Sequence, residues 1–183
     1  MFNLTAVEKL LNALRSTSEE QDANAAVALL IKNVDQDLNL FLAKRAENLA
    51  DPWSGQMAFP GGKRIAGDRS LKQTIIRETL EETNINLLDH CRFLGVMKAQ
   101  ISAQNPKLKI LPFVILLEHE PTIRLNKNEL ELFFWLPLKG LIKHKRLVKF
   151  DFGEFPAYTI GPNVIWGITY RILEEFEKLK NET

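Results

Sequence analysis

Cysteine occurs only once, at Cys91. No internal disulfide is therefore available, the fold must be held by packing and hydrogen bonds, and the composition is consistent with a reducing compartment. The lone thiol reads as a small buried or half-buried group. Long apolar runs are also missing. The longest, Ile110 to Leu117, contains Pro112 and falls far short of the roughly 20 residues a membrane span needs, so no membrane association is expected. Nor is there an excess of charge of one sign: the formal net charge is +1, which creates no global field toward nucleic acid or an anionic membrane, and no nucleic-acid partner is expected. The three histidines, His90, His119 and His144, show no ligand spacing to one another. Repeats, linkers and low-complexity tracts are absent.

What is present fits one catalytic unit. A chain of 183 residues, 45% hydrophobic and 26% charged, suits a single domain over 1–183 with a substantial core. Leu4, Val7, Leu10, Leu11 and Leu14 recur at helical spacing and are interrupted by Glu8 and Lys9, so Met1 to Arg15 reads as an amphipathic helix and not as a signal peptide. A cytoplasmic location is expected. A homodimer is compatible with the chain, although no sequence feature gives the oligomeric state.

Short apolar runs then alternate with turn signals. Strands are expected at Ala25 to Ile31, Leu38 to Ala43, Phe93 to Gln100, Ile110 to Glu118 and Phe133 to Leu136, with Ala157 to Ile160 as the final strand. A short helix is expected at Leu138 to Lys143, and a C-terminal helix at Val164 to Lys180 with Ile168, Ile172, Leu173 and Phe176 inward. Lys143, Lys145, Arg146 and Lys149 form a basic cluster that reads as a solvated helix end.

The chemistry concentrates at Arg77-Glu78-Thr79-Leu80-Glu81-Glu82. At about 100° per residue, the three glutamates fall within a sector of roughly 100°, with Arg77 one turn before Glu81. Ile76, Leu80 and Thr83 are read as the anchoring stripe, which would turn the acidic stripe away from the core. Like charges at these spacings repel, and the last turn of a helix disfavours negative charge. One arginine cannot neutralise three carboxylates, so the face calls for a hard divalent cation that prefers oxygen ligands, Mg²⁺ or Mn²⁺. Upstream, Met57-Ala58-Phe59-Pro60-Gly61-Gly62 reads as a strand ending in a tight loop whose glycines let the backbone approach a ligand. Ser70 is the expected N-cap, and Asn84 tolerates the left-handed conformation that ends a helix.

Strand, glycine loop and acidic helix in this order resemble the Nudix box, G-x5-E-x7-R-E-U-x-E-E-x-G-U with U aliphatic. Here the box runs over about 62–85. It begins at Gly62, its central acid falls on Asp68, and its core falls on Arg77, Glu78, Glu81 and Glu82. Asp68 replaces Glu and is separated from Arg77 by eight residues where the pattern has seven; Thr79 and Asn84 replace an aliphatic residue and a glycine. The extra residue is similar to the coenzyme A diphosphatase branch. That branch also has an upstream segment, matched at its start by Phe41-Leu42-Ala43-Lys44-Arg45-Ala46 and at its end by Gly55 to Gly62, with Ala50 where a second arginine would stand.

The resemblance implies an α/β fold, a Nudix-type α/β/α sandwich with a mixed β-sheet. It implies a hydrolase acting on a small-molecule nucleotide, a nucleoside diphosphate linked to another moiety, with coenzyme A or its derivatives preferred. ADP-ribose or a dinucleotide polyphosphate is the alternative substrate, and a non-catalytic nucleotide-binding module the alternative role. Glu78, Glu81 and Glu82, joined by the Gly62 carbonyl as the family implies, would hold the metal. Arg77 would orient Glu81 through an i,i+4 ion pair. The general base is Glu78 or Glu129, the latter in a segment similar to one that brings an acid over the family's active site; Glu131 is a weaker candidate. Arg45, Trp53 and Gly61 are the expected substrate contacts, with Trp53 equally able to support its loop by packing.

Overall fold

Two ten- and nine-residue apolar stretches form the centre of the molecule: β1 (Ala25–Val34) and β2 (Asp37–Arg45) pair antiparallel. The structure is a computed structural model, and it describes residues 4–35 and 37–181. Strand β7 (Lys109–Leu117) lies parallel to β1, and β5 (Cys91–Val96) antiparallel to β7, which gives the order β2-β1-β7-β5. Short strands complete the sheet: β3 (Met57–Ala58) and β8 (Leu130–Pro137) pair β2, β4 (Gly61–Lys63) pairs β1, and β6 (Gln100–Ile101) pairs β7. The sheet is mixed, as the resemblance implies.

Strand periodicity of two sends alternate residues of β1 and β2 to opposite faces. Leu29, Ile31, Leu38, Leu40 and Leu42 pack with Val7 and Leu10 of helix α1 (Leu4–Ala13) and with Tyr170, Ile172, Leu173 and Phe176 of α3 (Gly167–Asn181). Ala26, Ala28, Leu30, Phe41 and Ala43 face Leu71 and Ile75 of α2 (Leu71–Thr83). Helices on both faces of one sheet make the α/β/α sandwich.

Several sequence expectations are corrected. The stretch 93–100 divides, because β5 ends at Val96 and pairing with β7 resumes only at Gln100. Residues 138–143 yield only a 3₁₀ turn at Leu141–His144. Ala157 to Ile160 is not the final strand. It belongs to β10 (Gly153–Ile160), the middle of a second sheet between β9 (Lys145–Phe150) and β11 (Asn163–Ile165). The basic cluster therefore lies largely on β9, and Val164 sits in a strand before the last helix begins. Strand β9 hides in the sequence because its apolar Leu147 is exposed beside Arg146 and Lys149, which blurs the alternation. At the N-terminus, Leu11 is exposed while Val7 and Leu10 are buried, and residues 1–3 lie outside the described residues. No helix among the described residues is long and apolar enough to cross a membrane.

Candidate active site

Helix α2 is stopped at both ends by its own sequence. The Ser70 side chain accepts the Gln73 N–H at the N-terminus, and Asn84, at φ +63°, donates its N–H to the Leu80 carbonyl. Which face it buries differs from the expectation. Leu80 is 44% exposed, whereas Leu71, Thr74, Ile75, Thr79, Glu82 and Thr83 are buried. Two of the three buried threonine hydroxyls are satisfied, Thr83 Oγ1 donating to the Thr79 carbonyl at 2.6 Å and Thr74 Oγ1 to Asp68 Oδ2 at 3.0 Å, whereas Thr79 Oγ1 has no hydrogen-bond partner among the described residues. The acidic stripe therefore does not look away from the core as a whole. Glu82 is only 3% exposed.

What Glu82 meets inside is the glycine pair. Its Oε2 accepts the Gly61 N–H at 2.8 Å. Gly61 and Gly62 are not in a loop, as expected, but in β4, against Val27 and Ala26 of β1. Glycine is needed there for closeness. A Cβ on Gly61, at φ +149°, would stand 2.2 Å from the Ala26 carbonyl oxygen, and one on Gly62 would stand 2.5 Å from the Glu78 carboxyl carbon.

Beside these groups opens a cleft of about 290 Å³, lined by Gly61, Gly62, Glu78, Glu82, Arg45, Trp53 and Glu129 among others. Burial pushes the Glu82 carboxyl up to about 8, against the Gly61 hydrogen bond, and neighbouring Glu78 and Glu129 push the same way. Glu78 is also raised, by burial first, although Arg77 pulls it down. The cleft thus gathers carboxylates that repel one another, and two of them, Glu78 and Glu82, have lost water to burial.

Arg77 is the hub that restrains them. It binds Asp68 through two contacts, Nε–Oδ1 at 3.2 Å and Nη2–Oδ2 at 3.0 Å, and it pairs with Glu78 at 2.8 Å and Glu81 at 3.1 Å. The expected Arg77–Glu81 pair is present, but Asp68 is the larger partner. Asp68 is the residue whose importance the sequence conceals: it is buried, it accepts hydrogen bonds from Ile65 N–H and Thr74 Oγ1, and Arg77 holds its carboxyl down at about 2. Glu81 has a 53% exposed side chain and does not line the cleft.

The structure brings most of the expected contacts together. Glu129 faces the cleft from the turn before β8, its Oε1 accepting from Asn126 Nδ2 at 2.7 Å, while Glu131 turns to Lys44 at 2.7 Å. Arg45 is braced by Asp51, Nε to Oδ2 at 2.7 Å. Trp53 lines the cleft and packs against Ala25, Leu108 and Ile110. Lys63, Ser102 and Thr169 also line the cleft and were missed, because only the fold brings the last two near the glycines. Cys91 is a half-buried free thiol, pushed up to about 11 by burial.

A metal fits this donor set. Carboxylate oxygens, one of them buried without a full counter-charge, and an open backbone at the glycines suit a hard divalent cation. Among the described residues no three such side chains converge at metal-holding distance, because Arg77 holds Glu78 and Glu81 while Glu82 is turned to Gly61.

Asp68→Asn is expected to lower the melting temperature. Arg77 loses the buried one of its three charged partners, at about 1–3 kcal/mol, or roughly 2–12 °C for a chain of this size. Because the Asp68 carboxyl is depressed, its contribution is complete above about pH 4 and disappears as pH falls toward about 2. Melting curves of the two proteins should therefore converge over that interval. A constant difference at all pH values would mean that Asp68 acts by packing alone.

Comparison with known proteins follows the same lines. The NUDIX domain model matches residues 22–158. An uncharacterized protein of Schizosaccharomyces pombe is 38% identical over 108 residues, 56% of this chain and 33% of the relative. The peroxisomal coenzyme A diphosphatase ndx-8 of Caenorhabditis elegans is 32% identical over 74% of this chain and 57% of its own. A mitochondrial coenzyme A diphosphatase of Homo sapiens is 27% identical over 91% and 73%. The chain thus spans a third to about three quarters of the lengths of these relatives. Among solved structures, a C. elegans Ap4A hydrolase binary complex superposes with a TM-score of 0.55 at 15% identity, over 86% of this chain and 93% of that one, which speaks to the fold.

Proposed function

The chain belongs to the Nudix hydrolase family, and from that premise we propose that it is a divalent-metal-dependent diphosphatase whose substrate is coenzyme A or a derivative, split into 3′,5′-ADP and 4′-phosphopantetheine. The observation that carries the proposal is the gathering of Glu78, Glu82 and Glu129 around a cleft floored by side-chain-free Gly61 and Gly62. A diphosphate needs room for its oxygens against backbone and compensation for its charge.

Glu78, Glu81 and Glu82, with the Gly62 carbonyl, would hold Mg²⁺ or Mn²⁺. Bound there, the cation supplies charge neutralisation of the diphosphate and a lowered pKa for water. Arg77, anchored on Asp68, fixes the positions of Glu78 and Glu81 and touches no substrate. Glu78 or Glu129 takes the proton as water attacks phosphorus. The P–O bond to the bridging oxygen then breaks, and the leaving phosphate carries away the electron pair. A pH–rate comparison of Glu78→Gln and Glu129→Gln separates the two bases: the variant of the true base loses the acidic limb.

Arg45 and Trp53 are positioned to contact the nucleotide or the pantetheine arm. The named diphosphatase relatives favour coenzyme A; ADP-ribose and dinucleotide polyphosphates are the competing substrates. A product analysis with Mg²⁺ on coenzyme A, dephospho-coenzyme A, ADP-ribose and a diadenosine polyphosphate decides between them. The expected result is the highest kcat/KM for coenzyme A. ADP-ribose cleaved better than both coenzyme A forms would overturn the coenzyme A reading and leave the broader diphosphatase one. The proposed compartment is the cytoplasm, on the single half-buried thiol, although two relatives are by name peroxisomal and mitochondrial.

A further inference from the structure

Next to the cleft lies a second hollow of about 250 Å³, lined by Asn24, Lys63, Arg64, Asn105, Lys107 and Leu108. Lys63 and Leu108 line both spaces, so the hollow continues the cleft. It is basic. Arg64 is fully committed, to Glu20 at 3.0 Å and to the carbonyls of Asp68 and Arg69. Lys63 and Lys107 have no carboxylate partner among the described residues, unlike Lys32, Lys44 and Lys145, which are paired.

The walls are held by backbone, not by chance side-chain positions. Asn24 ties them together: its Nδ2 donates to the Lys107 carbonyl at 2.7 Å, its Oδ1 accepts the Lys109 N–H at 3.0 Å, and its carbonyl accepts the Arg64 N–H at 3.0 Å. Within the 102–108 turn, Asn105 Oδ1 accepts the Lys107 N–H at 3.2 Å and its carbonyl accepts the Leu108 N–H at 2.8 Å. Lys107 thus stands on a rigid turn facing β4. A strand advances about 3.3 Å per residue, so Lys63 stands roughly 7 Å along β4 from Gly61, about one sugar away from a diphosphate at the glycines.

The geometry points to a phosphomonoester subsite: Lys63 and Lys107 receive a terminal phosphate carried on the nucleotide sugar, beyond the diphosphate that is cleaved. Two unpaired ammonium groups suit a dianion, and Asn24 and Asn105 keep the hollow polar and open. The subsite selects nucleotides bearing this extra phosphate over the same nucleotides without it. It rests on the reading of the neighbouring cleft as the diphosphate site.

Binding tests the subsite without requiring turnover. Titration calorimetry near neutral pH compares adenosine 3′,5′-bisphosphate with AMP on wild type, Lys107→Gln, Lys107→Glu and Lys107→Arg. Lys107 is exposed, so its variants should fold normally. Wild type is expected to bind the bisphosphate about 10-fold or more tighter than AMP. Lys107→Gln should cut that ratio by about 3- to 10-fold, Lys107→Glu should take it toward one, and Lys107→Arg should restore it. The ratio should also shrink as salt is raised. Equal affinities in wild type, or a ratio unmoved by Lys107→Glu, would overturn the subsite. A ratio that behaves as expected in a protein that hydrolyses no diphosphate would leave the subsite standing and remove the proposed function instead.

Discussion

Glu82→Gln should lower kcat by on the order of 10²-fold or more while the protein remains folded. The substitution keeps the size of the side chain and an oxygen that can accept the Gly61 N–H, so the β4–α2 contact survives. What it removes is the charge that would hold the metal. The same change should stabilise the metal-free protein. The Glu82 carboxyl is raised by burial to about 8 from an ordinary value near 4.5. A raised acid lets the unfolded chain release its proton first, so the contribution of Glu82 to metal-free wild type is most favourable below about pH 4.5 and is lost as pH climbs toward 8. In Glu82→Gln that part of the slope is absent. Thermal melts in a chelator across pH 4 to 8, paired with steady-state kinetics in Mg²⁺, check both halves. A variant that keeps full activity, or that unfolds, would remove Glu82 from the metal set.

Gly61→Ala is expected to have the largest effect on stability. The added Cβ would meet backbone, the Ala26 carbonyl oxygen at 2.2 Å and Val27 Cα at 2.7 Å, and neither can withdraw without breaking the β1–β4 pairing. The φ of +149° adds strain for any L side chain. Together these cost about 3 kcal/mol or more, a fall in Tm of roughly 6–12 °C. Gly67→Ala is the matched control, since a Cβ there meets nothing within 4 Å. It should change stability by less than about 0.5 kcal/mol. Similar melting temperatures for the two variants would mean that the close approach at Gly61 is not what its glycine provides.

Local signals in the sequence proved the most legible. Ser70 and Asn84 mark the limits of α2 because caps depend on a few neighbouring residues. The central strands are readable because β1 and β7 are apolar along nearly their whole length. The burial of Glu82 was not legible: at helical spacing it shares a side with Glu78, and only the glycine strand arriving from 21 residues upstream gives its carboxylate an inward partner. Asp68 was obscured by its altered spacing to Arg77, which stops mattering once the 64–70 turn folds its carboxylate onto the guanidinium. Lys63 and Lys107 are 44 residues apart in the chain. Nothing short of the β1–β4 and β1–β7 pairings brings them to one hollow.

The central claim is that carboxylates of this cleft carry metal-dependent hydrolysis of a nucleoside diphosphate link. The most direct test is cleavage of coenzyme A followed by product analysis, in Mg²⁺, in Ca²⁺ and in chelator, for wild type and Glu82→Gln side by side. The account predicts 3′,5′-ADP and 4′-phosphopantetheine from wild type in Mg²⁺, little turnover in Ca²⁺, whose looser coordination positions water poorly, and none in chelator or from the variant. Cleavage that persists in chelator, or that Glu82→Gln leaves untouched, would contradict it.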